Sequence, residues 1–415
     1  MAVTGKPLER TKNYVDIAIV GGGIAGLWTL ARLRQAGYQA ILLEADALAC
    51  QQSGASQGII HGGTKYALTG KLTHSALSIG KMPQRWQNCL QGDGEVDLRR
   101  AKVLSAHQYL WSNKSLSARL TGFFASKVMT SRMCHLSPQD YVAPFNQAAF
   151  NGELYQLDEP VLDIQSVVDT IRAQYQEHIF HAAITAITMP DNEHQNSGQL
   201  RCSDNSLIHC QSIILSAGAG NEKLLATMDV GAPKMQRRPL LMPMLRADET
   251  VLPRMYAHCL GASTLPKMTI TSHQLKNGDG RQMVWYLGGE IAESGVGLSV
   301  AEQVRQAKKE LSALMPWMDF SLCRWSALAI DRAEPKMADG SRPVEPAVFL
   351  HHGVITAWPV KLAMAPLMVD AIVQKIEQLK IKKNARAVHM QTISSAPMTT
   401  ADSAQLPWEK VEHWL

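Results

Sequence analysis

Three glycines and one glutamate carry the first chemical signal in this chain. Gly21, Gly23 and Gly26 stand in a GxGxxG spacing, and Glu44 follows Gly26 by 18 residues. In such a turn the first glycine allows a tight reversal, the second lets backbone approach a pyrophosphate, and the third lets a helix pack close to a strand. Unpaired N–H groups at the helix start then meet the phosphates. An acidic side chain at the Glu44 position is placed to accept from ribose hydroxyls. It also disfavours a 2′-phosphate, so NADP is not expected. The glycines alone leave FAD and NAD as alternatives.

The surrounding pattern supplies the elements that such a turn needs. Tyr14 to Val20 is a short β-branched apolar run ending at the glycines, which reads as a buried strand. Ile24 to Ala36 carries Leu27, Leu30, Ala31 and Leu33 at helical spacing, with Gly37 as a stop. Ala40 to Leu43 is a second strand, closed by Glu44, so residues 14–44 form one βαβ unit. Further along, Val161 to Tyr175 is an amphipathic helix pattern with Asp163 as its cap. Cys210 to Leu215 is a strand that runs into Ser216-Ala217-Gly218-Ala219-Gly220. Met283 to Leu287 reads as strand, Ala301 to Leu314 as helix, and 347–375 as strand then helix.

Composition excludes several classes of function. The chain has 415 residues, a formal charge of +5, 46% hydrophobic and 19% charged residues, which suits a globular protein of two joined domains. No dense basic stripe with interleaved aromatics suggests nucleic acid. The seven cysteines are scattered without a CxxC pair, which suits free thiols in a reducing compartment, and a cytoplasmic location is expected. No apolar run is long enough to span a bilayer. His351 and His352 are adjacent and point to opposite faces of a strand, so no metal site is expected. The basic stretch Lys375 to Arg386 reads as a solvated helix end, with weak peripheral membrane contact as the sharper alternative.

From about residue 14 to 390 the chain resembles the D-amino-acid oxidase / glycerol-3-phosphate dehydrogenase superfamily of flavoproteins. Four segments carry the resemblance. Ser53 to Leu68 (SGASQGIIHGGTKYAL) looks like the flavin-contacting segment of glycerol-3-phosphate and 2-hydroxyglutarate dehydrogenases. Lys65-Tyr66 stands there where Arg-Tyr is usual, which keeps the charge and removes the planar fork. Ile213 to Gly220, with Val161 to Asp163, is similar to the parts that close over the adenine half of FAD. Trp325 to Pro335 resembles a strand ending in a substrate-facing arginine, here Arg332. Thr356 to Pro366 resembles a Gly-Gly-Lys-Leu turn against the isoalloxazine, with Trp358-Pro359-Val360 in place of the glycines and Lys361 retained.

The resemblance implies FAD as cofactor and a set of contacts to it. Gly21, Gly23, Ile24, Ala25 and Gly26 would meet the pyrophosphate, Glu44 and Ala45 the ribose, and Ala217 and Gly218 the adenine half. Ser53, Ser56, Gln57, Gly58, Ile60 and His61 would lie along the flavin, with Lys361 and Leu362 at its N1/O2 edge. Arg332 would hold a substrate carboxylate or phosphate by paired hydrogen bonds, or else form an ion pair with Asp331 or Glu334. Lys361 would stabilise negative charge on the reduced ring. His61 could take a hydroxyl proton, hydrogen-bond the cofactor or anchor it covalently. Lys65 and Tyr66 would rim the substrate pocket, and Tyr286 is either pocket or core.

The expected architecture is α/β: a discontinuous Rossmann-type FAD domain (1–90, 151–230, 326–391) and a second domain on a mixed or antiparallel sheet (91–150, 231–325). Residues 392–415 form a tail, either docking element or packed on its own domain. The expected reaction is hydride transfer to flavin N5 from a small anionic hydroxy compound. An amino-acid or glycine-type oxidase and a non-enzymatic flavoprotein are the alternatives. The electron acceptor is open among quinone, oxygen and another protein. A flavin monooxygenase would share the βαβ unit, but the C-terminal Gly-Asp segment in which those enzymes resemble one another is absent from His351 to Pro366.

Overall fold

The computed structural model describes residues 13–63, 78–113, 133–190, 197–228, 233–260, 266–275, 280–383 and 402–415. Two eight-stranded sheets dominate it. The first is built on β1 (Asn13–Val20), helix α1 (Ile24–Gln35) and β2 (Ala40–Glu44). β1 runs parallel to β2 on one side and to the strand Leu207–Leu215 on the other, and Ile179–His181 and Val354–Trp358 extend the parallel core. Alternate residues of β1 serve opposite faces. Ile17 and Ile19 pack under α1 and the helices Ile164–Tyr175 and Ala365–Gln378, whereas Ala18 and Val20 pack on the far side with Leu200, Ile213 and Trp358. A parallel strand covered on both faces must be apolar throughout, which is why the run from Val15 to Val20 is unbroken except for buried Asp16. Asp16 is satisfied by Gln39 N–H at 2.8 Å and Gln211 Nε2 at 3.1 Å. The expected Asp163 cap is present, accepting from Ser166 N–H at 3.2 Å.

The second sheet is mostly antiparallel, in the order Arg324–Pro335, Met235–Asp248, Gln282–Gly288, Met268–Gln274, Tyr256–Cys259, Gln108–Asn113, Gly152–Leu157, Met133–His135. The helix Val300–Leu314, opened by a Ser299/Glu302 capping box, covers one face. Period-2 alternation sends Trp111, Ala257 and Cys259 to that face and leaves Leu110 and His258 on the other, over a cavity. Two of the expected boundaries move. Gly152–Leu157 and most of Arg324–Pro335 were assigned to the FAD domain, yet both are strands of the second sheet. Motif position set those boundaries, whereas long-range pairing decides membership: Arg324–Pro335 pairs with Met235–Asp248 over 12 register positions.

The tail packs on its own protein. Leu406 and Trp408 are buried against Met242, Met244, Val284 and Tyr286 of the second sheet, and Leu415 exchanges two backbone hydrogen bonds with Trp325. Its first described residues are tied to the first layer, with Leu48 bonded to Asp402 and Ala404 and with Arg172 2.9 Å from Asp402. Lys382 and Lys383 of the basic stretch bond to Gln211 and lie over Tyr38 respectively; residues 384–386 lie outside the described residues. No helix among the described residues is long and apolar enough to cross a membrane. All seven cysteines are free.

Candidate active site

A cavity of about 970 Å³ runs from the glycine turn to the underside of the second sheet. Ligand pockets usually measure about 300–1,000 Å³, so this one has room for a long ligand. At one end, Gly21 sits at φ +110°, and a Cβ on it would come within 2.5 Å of Ala217 Cα. Only glycine fits that crossing of the two strand ends. α1 begins at the turn with no side-chain cap from Gly23 and no acid in its first turn, so its positive end is uncompensated from within. Ser53 Oγ accepts from Ile24 N–H at 3.0 Å. Glu44 lines the same end, its Oε2 accepting Gly22 N–H at 2.5 Å and its Oε1 Asp46 N–H at 3.0 Å.

The segment 51–63 forms the middle of the wall and is pinned to the second sheet. Gln57 Nε2 donates to the carbonyls of Tyr286 (3.0 Å) and Thr269 (3.2 Å), and Gln52 Oε1 accepts from Ala333 N–H at 3.1 Å. Gly23, Ile24, Ala25, Ala45, Ser53, Ser56, Gln57, Gly58 and His61 all line the cavity, as do Ala217, Gly218, Lys361 and Leu362. Two expected contacts are not on its wall. Gly26 is covered by Gly21, whose oxygen would lie 1.9 Å from a Cβ there. Ile60 is fully buried in the helical-side core, because it and Ile59 point opposite ways and Ile59 takes the cavity side. Lys65 and Tyr66 lie outside the described residues. Tyr286 is core: fully buried, with its hydroxyl donating to Ala55 O at 3.2 Å, its pKa pushed up by burial.

Arg332 reaches the cavity from its strand, and its partners differ from the sequence neighbours. Nη2 donates to Glu293 at 3.2 Å and Nε to the Arg238 carbonyl at 3.1 Å, while Asp331 pairs with Arg237 and Glu334 with Arg238. Adjacent strand residues face opposite ways, which takes Asp331 out of reach. Arg238, directly opposite Arg332 in register, shares the same Glu293 oxygen. Burial, then Arg238, then Arg342, pull the Arg332 guanidinium below its usual range despite Glu293. Sequence reasoning missed Arg342, Glu159 and His258, which also line the cavity. Glu159 precedes the singled-out Val161–Asp163, and His258 is a polar residue inside an apolar strand; those were the available signals.

These parts combine a helix start with no acid in its first turn beside a strand-crossing glycine, a carboxylate one strand away and an arginine across a deep cleft. Comparison with known proteins decides what they belong to. Residues 16–335 match the family model described as FAD dependent oxidoreductase. The chain belongs to that family. Within it, a probable FAD-dependent oxidoreductase of Pseudomonas aeruginosa is 42% identical over 373 residues, covering 90% of this chain and 93% of that one. The crystal structure of the P. aeruginosa FAD dependent oxidoreductase superposes with a TM-score of 0.79 at 36% identity, covering 96% and 98%. Glycine oxidase from Geobacillus kaustophilus (TM-score 0.63, 12% identity, 93% and 100% covered) and L-alpha-glycerophosphate oxidase from Mycoplasma pneumoniae (0.63, 14%, 90% and 97%) share the fold.

As an FAD-dependent oxidoreductase the chain must accommodate a dinucleotide, and its cradle fits one. Backbone replaces side chain where the phosphates need close approach, and a Cβ on Gly218 would meet nothing within 4 Å, so that turn is open. One position departs from the Gly-Gly-Lys-Leu turn that the sequence resemblance set beside it. In the turn before Lys361, Val360 takes φ +63° and Lys361 N–H donates to the Pro359 carbonyl at 2.6 Å. The valine adopts a backbone that glycine would take without strain, at a cost of about 1–3 kcal/mol. It is nonetheless buried, and adjacent Trp358 is wedged in the core with its Nε1 on Gly218 O at 3.3 Å. The usual order of substitutions is therefore expected to invert. Val360→Ala keeps the strain and loses packing, whereas Val360→Gly sheds the strain. Urea unfolding should find Val360→Gly no less stable than Val360→Ala, while at regular buried Val354 the glycine variant is the worse by about 1 kcal/mol.

Proposed function

We propose that this enzyme oxidises a small anionic hydroxy compound, with Arg332 holding the anion and FAD lying along the wall formed by the glycine turn, Glu44, residues 53–61 and the Lys361 turn. Bound there, FAD supplies the two-electron acceptor. Everything else falls to the chain: α1 and the glycine turn take the pyrophosphate, Glu44 takes ribose hydroxyls, and Lys361 offers positive charge beside the ring.

The observation that carries the substrate class is the state of Arg332. Two of its five N–H donors are used, on Glu293 and on the Arg238 carbonyl, and the others have no partner among the described residues. Its depressed pKa means that burial and two neighbouring guanidiniums outweigh the one carboxylate it shares. An incoming carboxylate or phosphate relieves that imbalance and uses the planar fork. A hydroxyl substrate is favoured over an amine by the imidazole and carboxylate at the cavity wall. An alcohol gives up its O–H proton as the hydride leaves, whereas an ammonium substrate loses its proton before that step and then expels hydride with the nitrogen lone pair as the driving group.

The anion site is testable without turnover. Titrating the FAD-loaded protein with inorganic phosphate and with 2-hydroxy acids should perturb the flavin spectrum. Arg332→Met should weaken that binding at least about 50-fold, since charge-assisted hydrogen bonds contribute about 1.5–3 kcal/mol each. Arg332→Lys should recover only part of it. Unchanged affinity in Arg332→Met would remove the anion from this arginine.

A further inference from the structure

Three protonatable side chains from separate elements meet at the end of the cavity roofed by the second sheet. His61 follows the flavin-side segment, Glu159 precedes the strand Val161–Leu162, and His258 lies in the strand Tyr256–Cys259. Glu159 is 3% exposed. Its Oε1 accepts Gly62 N–H at 2.6 Å, and its Oε2 accepts Gln108 Nε2 and lies 3.6 Å from His61 Nδ1. The His258 ring stacks on His61, centroids 5.4 Å apart and planes at 21°, with its own Nδ1 2.7 Å from Thr269 Oγ1. His61, Gln108, Glu159, His258 and Thr269 line the cavity.

We propose that Glu159 is a positioning residue: a buried carboxylate that draws the Nδ1–H of His61 to itself and so leaves His61 Nε2 as the base presented to the substrate hydroxyl. The proposal rests on the hydroxy-compound reading above. A carboxylate this deeply buried needs compensation to stay charged, and Gly62 N–H, Gln108 Nε2 and the His61 imidazole stand around its oxygens. At 3.6 Å the contact is longer than a hydrogen bond and becomes an ion pair only when the imidazole is protonated, and such contacts commonly tighten when a substrate fills the site. The same carboxylate grips Gly62, so the backbone beside His61 and the ring itself are set by one group. The proton transfer is balanced within the site. The substrate O–H bond breaks, an N–H bond forms at Nε2, and the positive charge created on the ring is met by Glu159. Glu159 and His258 are titratable groups set against His61. The His258 ring stacks beneath His61, where a second positive charge would be repelled.

The test is a histidine NMR titration of the FAD-loaded protein carrying 15N-labelled histidine, with His61 assigned by its disappearance in His61→Gln. In the wild type, His61 should be the Nδ1–H tautomer at neutral pH. In Glu159→Gln its pKa should fall by about one unit, since an opposite charge at this range supports the protonated form by about that much or more; Glu159→Asp should restore most of the shift. Thermal midpoint and flavin absorbance report whether each variant is folded and loaded. A His61 pKa within about 0.2 units of wild type in a folded, yellow Glu159→Gln protein overturns the proposal. If that variant does not fold, an Nε2–H tautomer in the wild type overturns it equally. Neither readout needs a substrate, so a panel that fails to reduce the flavin counts against the substrate class and leaves this result standing.

Discussion

Gly26→Val protein is expected to purify colourless, with its flavin lost. A Cβ at residue 26 would lie 1.9 Å from Gly21 O and 2.9 Å from Ser216 Oγ. Neither can retreat. Gly21 is held by its N–H on Leu43 O at 2.8 Å, and Ser216 Oγ is hydrogen-bonded to Val20 and Gly21 carbonyls. α1 would have to lift off β1, yet it is buried over most of its length between the sheet and the helix Ala365–Gln378. Overpacking of this kind costs about 1–3 kcal/mol or more, and here the displaced part is the helix end proposed to take the pyrophosphate. Gly218→Ala is the matched control. It meets nothing within 4 Å and costs only its positive φ, about 1–2 kcal/mol, so it should stay yellow. The ratio of flavin to protein absorbance, with urea midpoints beside it, separates the two. A Gly26→Val protein with the wild-type ratio would show that the turn does not set the cofactor site.

Trp408→Ala should be the most destabilising single truncation in the tail, at about 3–5 kcal/mol. The indole is 3% exposed, stacks on His273 with centroids 3.8 Å apart and meets the Tyr286 ring at 5.6 Å. It therefore seals the second sheet where the sheet carries the cavity on the same side. His273 gives the prediction a pH signature. Burial pushes its pKa down to about 3, so the folded protein keeps it neutral while the unfolded chain protonates it near 6.5. Stability from this group is full above about pH 6.5, falls as pH drops toward about 3 and levels off below. Removing Trp408 opens the ring to water and returns its pKa toward 6.5. Trp408→Ala should thus be much less stable at pH 7 yet lose less on acidification. Unfolding free energies at pH 7 and pH 4.5 check both halves, and a loss under about 1 kcal/mol at pH 7 would mean that the tail is not structural.

What was legible in the sequence was local. Gly21, Gly23, Gly26 and Glu44 define a contiguous βαβ unit whose chemistry depends on spacing, and the Asp163 cap and the run from Ile213 into Gly218 are likewise local. What was not legible came from pairing across the chain. Arg332 looked like a partner of Asp331 or Glu334, but strand alternation and the register with Arg238 hand it to Glu293, 39 residues away. Ile60 belongs to the core because its neighbour Ile59 takes the cavity face. Glu159 and His258 join His61 from 98 and 197 residues downstream, and no spacing rule could have united them. The turn at Trp358-Pro359-Val360 contains no glycine and still takes a backbone of the glycine kind, because Val360 accepts a positive φ. The domain boundaries erred for the same reason as the Arg332 pairing: sheet membership is a long-range property.

The most direct test of the central claim is the anaerobic visible spectrum of the purified protein before and after a substrate panel of glycerol 3-phosphate, several 2-hydroxy acids, glycine and other amino acids. A yellow protein bleached by an anionic hydroxy compound, and not bleached in the Arg332→Met variant at the same concentration, is the predicted result. A protein bleached by amino acids alone would contradict the substrate class, and one that neither carries nor takes up FAD would contradict the cofactor site itself.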